Sequence, residues 1–113
     1  GTGVRDYIHV SDLAAAHVDA LGLLIAKPDE SHTLNAGYGR GYSVNQVLDA
    51  VDRVTNLQIE RRYAERRLGD AGELVADNSR ILATLPWRPK RDDLDGIVKD
   101  ALAWERKLDQ IRG

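Results

Sequence analysis

The sequence has 113 residues, 42% hydrophobic and 30% charged, with a net charge of −2, the ordinary balance of a soluble globular domain with a single core. That near-neutral charge argues against bulk attraction to nucleic acid or an anionic membrane, and the absence of cysteine excludes disulfides and thiolate metal sites and fits a reducing, cytoplasmic setting. No apolar run approaches the roughly 18 residues of a membrane helix. Nothing resembles a signal peptide, and with no methionine even at position 1 the residues read as processed, trimmed or excerpted.

Residues 7–10 (YIHV) form a short apolar run that predicts a strand. Ser11 or Asp12 then offers a capping oxygen to the free N–H groups of a first helical turn. Leu13, Ala16, Ala20, Leu21 and Leu24 fall on one face of that helix, and Pro28 stops it. Residues 32–36 (HTLNA) predict a second strand, followed by the turn GYGRGY over residues 37–42. Ser43, with Gln46 three positions on, spells a capping box. The helix it starts has Val44, Val47, Leu48, Val51 and Val54 on one face and polar residues on the other. Residues 57–64 predict a third, charged strand. Asp77 or Asn78 caps a short helix around Ile81, Leu82 and Leu85. Pro86 and Pro89 hold Trp87 in an extended segment. Asp93 caps the last helix, whose core face is Leu94, Ile97, Val98, Ala101, Leu102 and Leu108. The order is strand, helix, strand, helix, strand, short helix, helix, which is α/β layering on a thin sheet.

Several stretches carry candidate chemistry. GYGRGY lies between a predicted strand and a capped helix, where glycines admit close backbone approach and a helix start attracts anions. Glu60 follows at the distance a dinucleotide site asks for, but the spacing is GxGxG and Tyr42 would crowd a pyrophosphate, so a tight turn is the plainer reading. ERRYAERRLGD (60–70) carries four arginines, the side chain suited to gripping a diphosphate. On a strand Arg61 and Arg67 would project together, and Asp70 could accept bonds from a sugar's hydroxyl pair. The plainer alternative is a solvated edge strand. His9, His17 and His32 lack the spacing of metal ligands, and His9 reads as a packed strand residue bonded to its neighbours. Arg5 and Asp6 read either as a local ion pair or with Arg5 as a second anion clamp.

The segment GTGVRDYIHVSDLAAAHVDAL resembles part of the NAD-dependent sugar-nucleotide epimerases of the extended short-chain dehydrogenase/reductase group. HTLNAGYGRGYSVNQVLDAV, RRLGDAGELVADNSRILATLPWRP and DDLDGIVKDALAWERKL continue the resemblance, in the family's order, across essentially the whole chain. RDYIHV–D–LA together with the RxGD–ADNS stretch favours the UDP-glucose 4-epimerase branch over related dehydratases. The fold it implies is the small C-terminal, substrate-binding portion of such an enzyme. That portion is α/β, with about three short strands and four helices, and lacks the Rossmann half; residues 1–113 are then one UDP-sugar-binding domain.

The resemblance also implies roles. Arg5 and Arg67 look like the two arginines that hold the UDP diphosphate, and Asp70 like the carboxylate on the ribose hydroxyls. Ser43 and Val44 look like part of the uridine wall, and Tyr7 lies near the nucleotide and supports Arg5. The glycine turn is not the family's NAD loop. Two departures stand out: Leu74 where many epimerases carry a tyrosine, and Pro86 where a glycine usually precedes the tryptophan. The family binds NAD on its N-terminal half. A Tyr-x-x-x-Lys pair there drives hydride transfer through a 4-keto intermediate, interconverting UDP-glucose and UDP-galactose. Here Tyr7, Tyr38, Tyr42 and Tyr63 are followed four residues on by Ser11, Tyr42, Gln46 and Arg67. No catalytic residue is therefore expected in this chain. The expectation is an isolated chain that is inactive and binds no NAD, within a parent enzyme that uses NAD, binds a UDP-sugar and is a homodimer. The other readings are a non-catalytic UDP-binding or self-associating module, or a related UDP-sugar epimerase or dehydratase.

Overall fold

A computed structural model describes residues 1–62, 69 and 72–113. In chain order the elements are β1 (Val4–Arg5), α1 (Val10–Ala26), β2 (Tyr42–Ser43), α2 (Val44–Thr55), β3 (Glu73–Leu74), α3 (Ser79–Thr84) and α4 (Leu94–Arg112). The kinds of element and their order are those expected: three short strands and four helices in an α/β arrangement. The strands form one sheet in the order β2-β1-β3, with β1 antiparallel to β2 and parallel to β3. Val4 pairs with Ser43 and Glu73, and Arg5 with Tyr42 and Leu74.

The strands do not lie where apolar runs placed them. Residues 7–10 are not a strand. The chain leaves β1 at Arg5 and enters α1 at Val10, with His9 as N-cap instead of Ser11 or Asp12. His9 is extended, and its Nδ1 accepts the Ser11 N–H at 3.0 Å. Residues 32–36 pack inward through Leu34 and Ala36 but form no strand; beside them the Arg80 side chain donates to the Thr33 carbonyl, and no backbone ladder forms. Residues 57–62 form no strand either, and 63 and 64 lie outside the described residues. The actual third strand, Glu73–Leu74, is too short and too polar to announce itself.

The helices follow their local signals more closely. Ser43 Oγ accepts from Gln46 N at 3.1 Å and Gln46 Oε1 accepts from Ser43 N at 2.7 Å, the reciprocal bonds of a capping box. Asn56, in the left-handed region at φ 56°, ends α2. Asp93 accepts the Gly96 N–H at 3.1 Å and starts α4.

Where one core was expected, the buried residues fall in two clusters. One joins Ala16, Ile81, Leu85 and Trp87; the other joins Ala50, Leu94 and Val98 between α2 and α4. Helix α1 is rotated from its expected setting: Asp12, Ala16, Ala20 and Leu23 point inward, while Leu21 and Leu24 face out. The rotation follows from Asp12, a buried acid whose partners all lie on the inner side. On α4 the apolar face is split, with Val98 buried, Ala101 outward and Trp104 52% exposed.

Trp87, only 2% exposed, anchors the first cluster, and its Nε1–H donates to the Asp12 carbonyl at 2.9 Å. Trp87→Ala should therefore lower stability by about 3–5 kcal/mol, read as a shifted midpoint in urea unfolding. A midpoint near that of the unaltered chain would show that this cluster does not centre on Trp87.

Candidate functional site

Arg5 occupies the central strand, flanked by Tyr42 on β2 and Leu74 on β3. Residues directly opposite in a sheet share a face, so the half-buried arginine stands in a row with Tyr42, which packs against the second cluster, and the exposed Leu74. Its Nη1 donates to the Val4 carbonyl at 2.7 Å. Ser43 lies beside Val4, and Val44, 40% exposed, donates its N–H to the Gly3 carbonyl at 3.1 Å. Tyr7 follows Arg5 by two positions and is half-buried. Of the six residues singled out from the sequence, Arg5 and Ser43 lie on adjacent strands, Val44 follows Ser43 beside Gly3, and Tyr7 lies just beyond the other end of β1. The Ser43 hydroxyl is already engaged by the α2 cap. The other two, Arg67 and Asp70, lie outside the described residues. The chain beyond them returns to the same place: the Gly72 carbonyl accepts the Val4 N–H at 2.9 Å, and β3 follows directly.

Asp6 does not form the ion pair with Arg5 that adjacency suggested. Its carboxylate accepts the N–H of Tyr38 at 3.0 Å, of Gly39 at 3.0 Å and of Ala76 at 3.3 Å. The glycines of the turn make this approach possible. A Cβ on Gly37 would stand 2.6 Å from Asp6 Oδ2, and Gly39 holds φ +76°, which disfavours any side chain. The turn does bind an anion, but the anion is the chain's own. With these N–H groups committed to Asp6, the turn does not fit a dinucleotide pyrophosphate.

A second acidic centre, not recognised in the sequence, lies behind this one. Asp12, 3% exposed, accepts the Tyr38 hydroxyl at 2.7 Å and the N–H groups of Lys90 at 3.2 Å and Arg91 at 3.0 Å. The Tyr38 oxygen in turn accepts the His9 N–H at 3.0 Å. His9 is buried as expected, though as a helix cap and not a strand residue. Because its Nδ1 accepts from Ser11, Nε2 carries the proton and donates to Asp100 Oδ2 at 2.7 Å. Both ring nitrogens are occupied, which leaves His9 no free lone pair for base chemistry. The bond from His9 holds the Asp100 carboxyl below its usual range. Burial pushes the Asp12 carboxyl up, but the bonds from Tyr38, Arg91 and Lys90 outweigh it and hold it low.

The arginine-rich stretch divides. Arg61 does not project with Arg67 from a strand; its Nη2 bridges Asp49 and Asp52 on α2, each at 2.8 Å. Arg62 pairs loosely with Glu60 at 3.6 Å, both far out in solvent, so Glu60 is not set up as a ribose acceptor. Among the described residues, no three His, Asp or Glu side chains gather as a metal site, and no helix is long and apolar enough to cross a membrane.

Comparison with known proteins gives this geometry a context. No protein-family model matches the chain. The UDP-glucose 4-epimerase of Azospirillum brasilense is 51% identical over all 113 residues, which make up 32% of that relative's length. A solved UDP-glucose 4-epimerase from Stenotrophomonas maltophila, with bound NAD and formylated UDP-arabinopyranose, is 40% identical and superposes at a TM-score of 0.88, over 97% of this chain and 32% of that one. The UDP-Glc/GlcNAc 4-epimerase from Campylobacter jejuni is 42% identical at a TM-score of 0.83, over 94% of this chain and 32% of that one. The chain therefore spans about a third of the length of the relatives it matches.

The Tyr38–Asp12 contact has a pH signature. Burial, and then the bond to Asp12, push the Tyr38 phenol from its usual 10.0 up to about 12. A group whose folded pKa is raised stabilises the fold fully below its unfolded pKa and loses that contribution as pH rises through the folded one. Stability should accordingly fall between pH 10 and about 12. Phenolate absorbance should show one tyrosine titrating late, and Tyr38→Phe should abolish that late step. The absence of any late phenol step that Tyr38→Phe removes would refute the buried bond.

Proposed function

We propose that this chain, which corresponds along its length to the C-terminal third of UDP-glucose 4-epimerases, is the part that grips the nucleotide end of a UDP-sugar. The observation that carries the reading is the position of Arg5. It stands on the central strand, with Ser43 and Val44 at the adjoining strand and helix start, and with the segment bearing Arg67 and Asp70 leading into the strand on its other side. An arginine presents paired N–H donors that match a diphosphate, and two from different segments can close on one such group. In this reading Arg5 and Arg67 hold the diphosphate, Asp70 takes the ribose hydroxyls, Ser43 and Val44 form part of the uridine wall, and Tyr7 supports Arg5. Anchoring the nucleotide leaves the sugar free to turn while its 4-position reacts.

The whole protein would then interconvert UDP-glucose and UDP-galactose through a 4-keto intermediate, as a homodimer. NAD and a tyrosine–lysine pair outside these residues would supply the redox and proton steps. The chain by itself would bind without turning over. A relative acting on both UDP-Glc and UDP-GlcNAc favours a second reading, in which the N-acetyl sugar is also accepted.

Titration calorimetry of the chain with UDP tests the proposal. UDP should bind, uridine should bind far more weakly, and Arg5→Ala or Arg67→Ala should each weaken UDP by about 1.5–3 kcal/mol, the worth of a charge-assisted bond. Unchanged UDP affinity in Arg5→Ala would remove Arg5 from the site. No heat with UDP at all would reject the nucleotide reading for this chain.

A further inference from the structure

The groups proposed to touch the nucleotide sit on three separate limbs. Arg5 and Tyr7 lie on β1 and just after it. Ser43 and Val44 lie just after the glycine turn. Arg67 and Asp70 belong to the segment that leads into β3. Strands of two residues give each limb few ladder bonds to its neighbours. Besides those backbone bonds, one side chain, that of Asp6, reaches from the central limb to both of its flanks.

Its Oδ1 and Oδ2 both accept the Tyr38 N–H, at 3.0 and 3.1 Å, and Oδ2 also takes Gly39 at 3.0 Å and Ala76 at 3.3 Å. Its own backbone N–H donates to the Leu74 carbonyl at 3.2 Å. One residue is thus bonded to the turn before β2 and to the segment after β3, while its peptide neighbours are Arg5 and Tyr7. The junction is also sterically closed, since a Cβ on Gly37 would meet Asp6 Oδ2 and Ala76 Cβ at 2.6 Å each. Asn78 Nδ2 ties the same loop from behind, donating to the Gly37 carbonyl at 3.1 Å.

We infer that Asp6 is the positioning residue of the nucleotide clamp: its carboxylate, without touching the ligand, fixes the distance between Arg5 and the two limbs that flank it. The inference rests on the nucleotide reading above. Three N–H donors require an acceptor-only group with two oxygens, which a carboxylate is and a carboxamide is not. Displacements on the scale of an ångström in a binding constellation are costly, so loosening the junction acts on affinity as well as on the fold.

Asp6→Asn preserves shape and puts an NH2 group where an oxygen now accepts. The experiment compares it with Leu23→Ala, a substitution in the first core cluster away from the sheet. UDP binding is measured by calorimetry well below both melting temperatures, and the Gly39 and Ala76 amide resonances report whether the junction has opened. Asp6→Asn should shift those resonances and weaken UDP about tenfold or more, whereas Leu23→Ala should lower the melting temperature yet keep the affinity. Shifted resonances with UDP affinity unchanged would overturn the inference while leaving the clamp intact. Equal loss of affinity in both variants would reduce Asp6 to a general stabilising role. No UDP binding by the unaltered chain would overturn the nucleotide reading, and this inference with it. Should Asp6→Asn fail to fold, Gly37→Ala opens the junction from the opposite side and is judged by the same outcomes.

Discussion

A carboxylate that collects backbone N–H groups from distant segments does the work that a longer sheet would otherwise do. The three strands are two residues each, too short to hold a sheet by ladder bonds alone. Asp6 and Asp12 supply the missing order. The first gathers Tyr38, Gly39 and Ala76; the second gathers Tyr38, Lys90 and Arg91. Tyr38 belongs to both, giving its N–H to one acid and its hydroxyl to the other, so the glycine turn is held from two sides. The buried Asp12 is tolerable here because its charge is met by several donors, and no buried side-chain polar atom among the described residues is left without a partner.

The same scaffolding decides which arginines are paired with acids. Asp6 is adjacent to Arg5 in sequence, yet its oxygens are turned onto amides and away from the guanidinium. Arg61, by contrast, is withdrawn from solvent between Asp49 and Asp52 and serves to brace α2. Arg5 and Arg61 thus differ in surroundings according to whether an acid on a neighbouring helix face claims them.

The parts that could be read from the sequence are those whose partners are near in sequence. The Ser43–Gln46 capping box and the Asp93 cap stand as read, because a cap and its N–H lie within one turn. The order of elements survived as well. Strand positions did not, since pairing Val4 with both Ser43 and Glu73 depends on contacts that no local window contains. The acids were misread for the same reason. Asp12 looked like a helix cap, yet its decisive partner, Arg91, is 79 residues away. One hint was available: Asp12 shares a helical face with Ala16 and Ala20, and an acid on an apolar face calls for buried donors. Leu21 and Leu24 were assigned to the core because apolar spacing cannot say which of two apolar faces of α1 turns inward.

The two tryptophans sit in opposite surroundings, and that gives the protein two separate optical reporters. Trp87 is sealed in the first cluster with its indole N–H bonded to Asp12, whereas Trp104 stands half in water on α4 beside the hollow lined by Ile8, His9 and Asp100. Emission from Trp87 should be blue and hard to quench, and it follows the integrity of the cluster and of Asp12 behind the glycine turn. Emission from Trp104 should be red and readily quenched, and it follows whatever approaches the outer face of α4. Selective quenching of Trp104 therefore separates the signal of the surface from that of the interior.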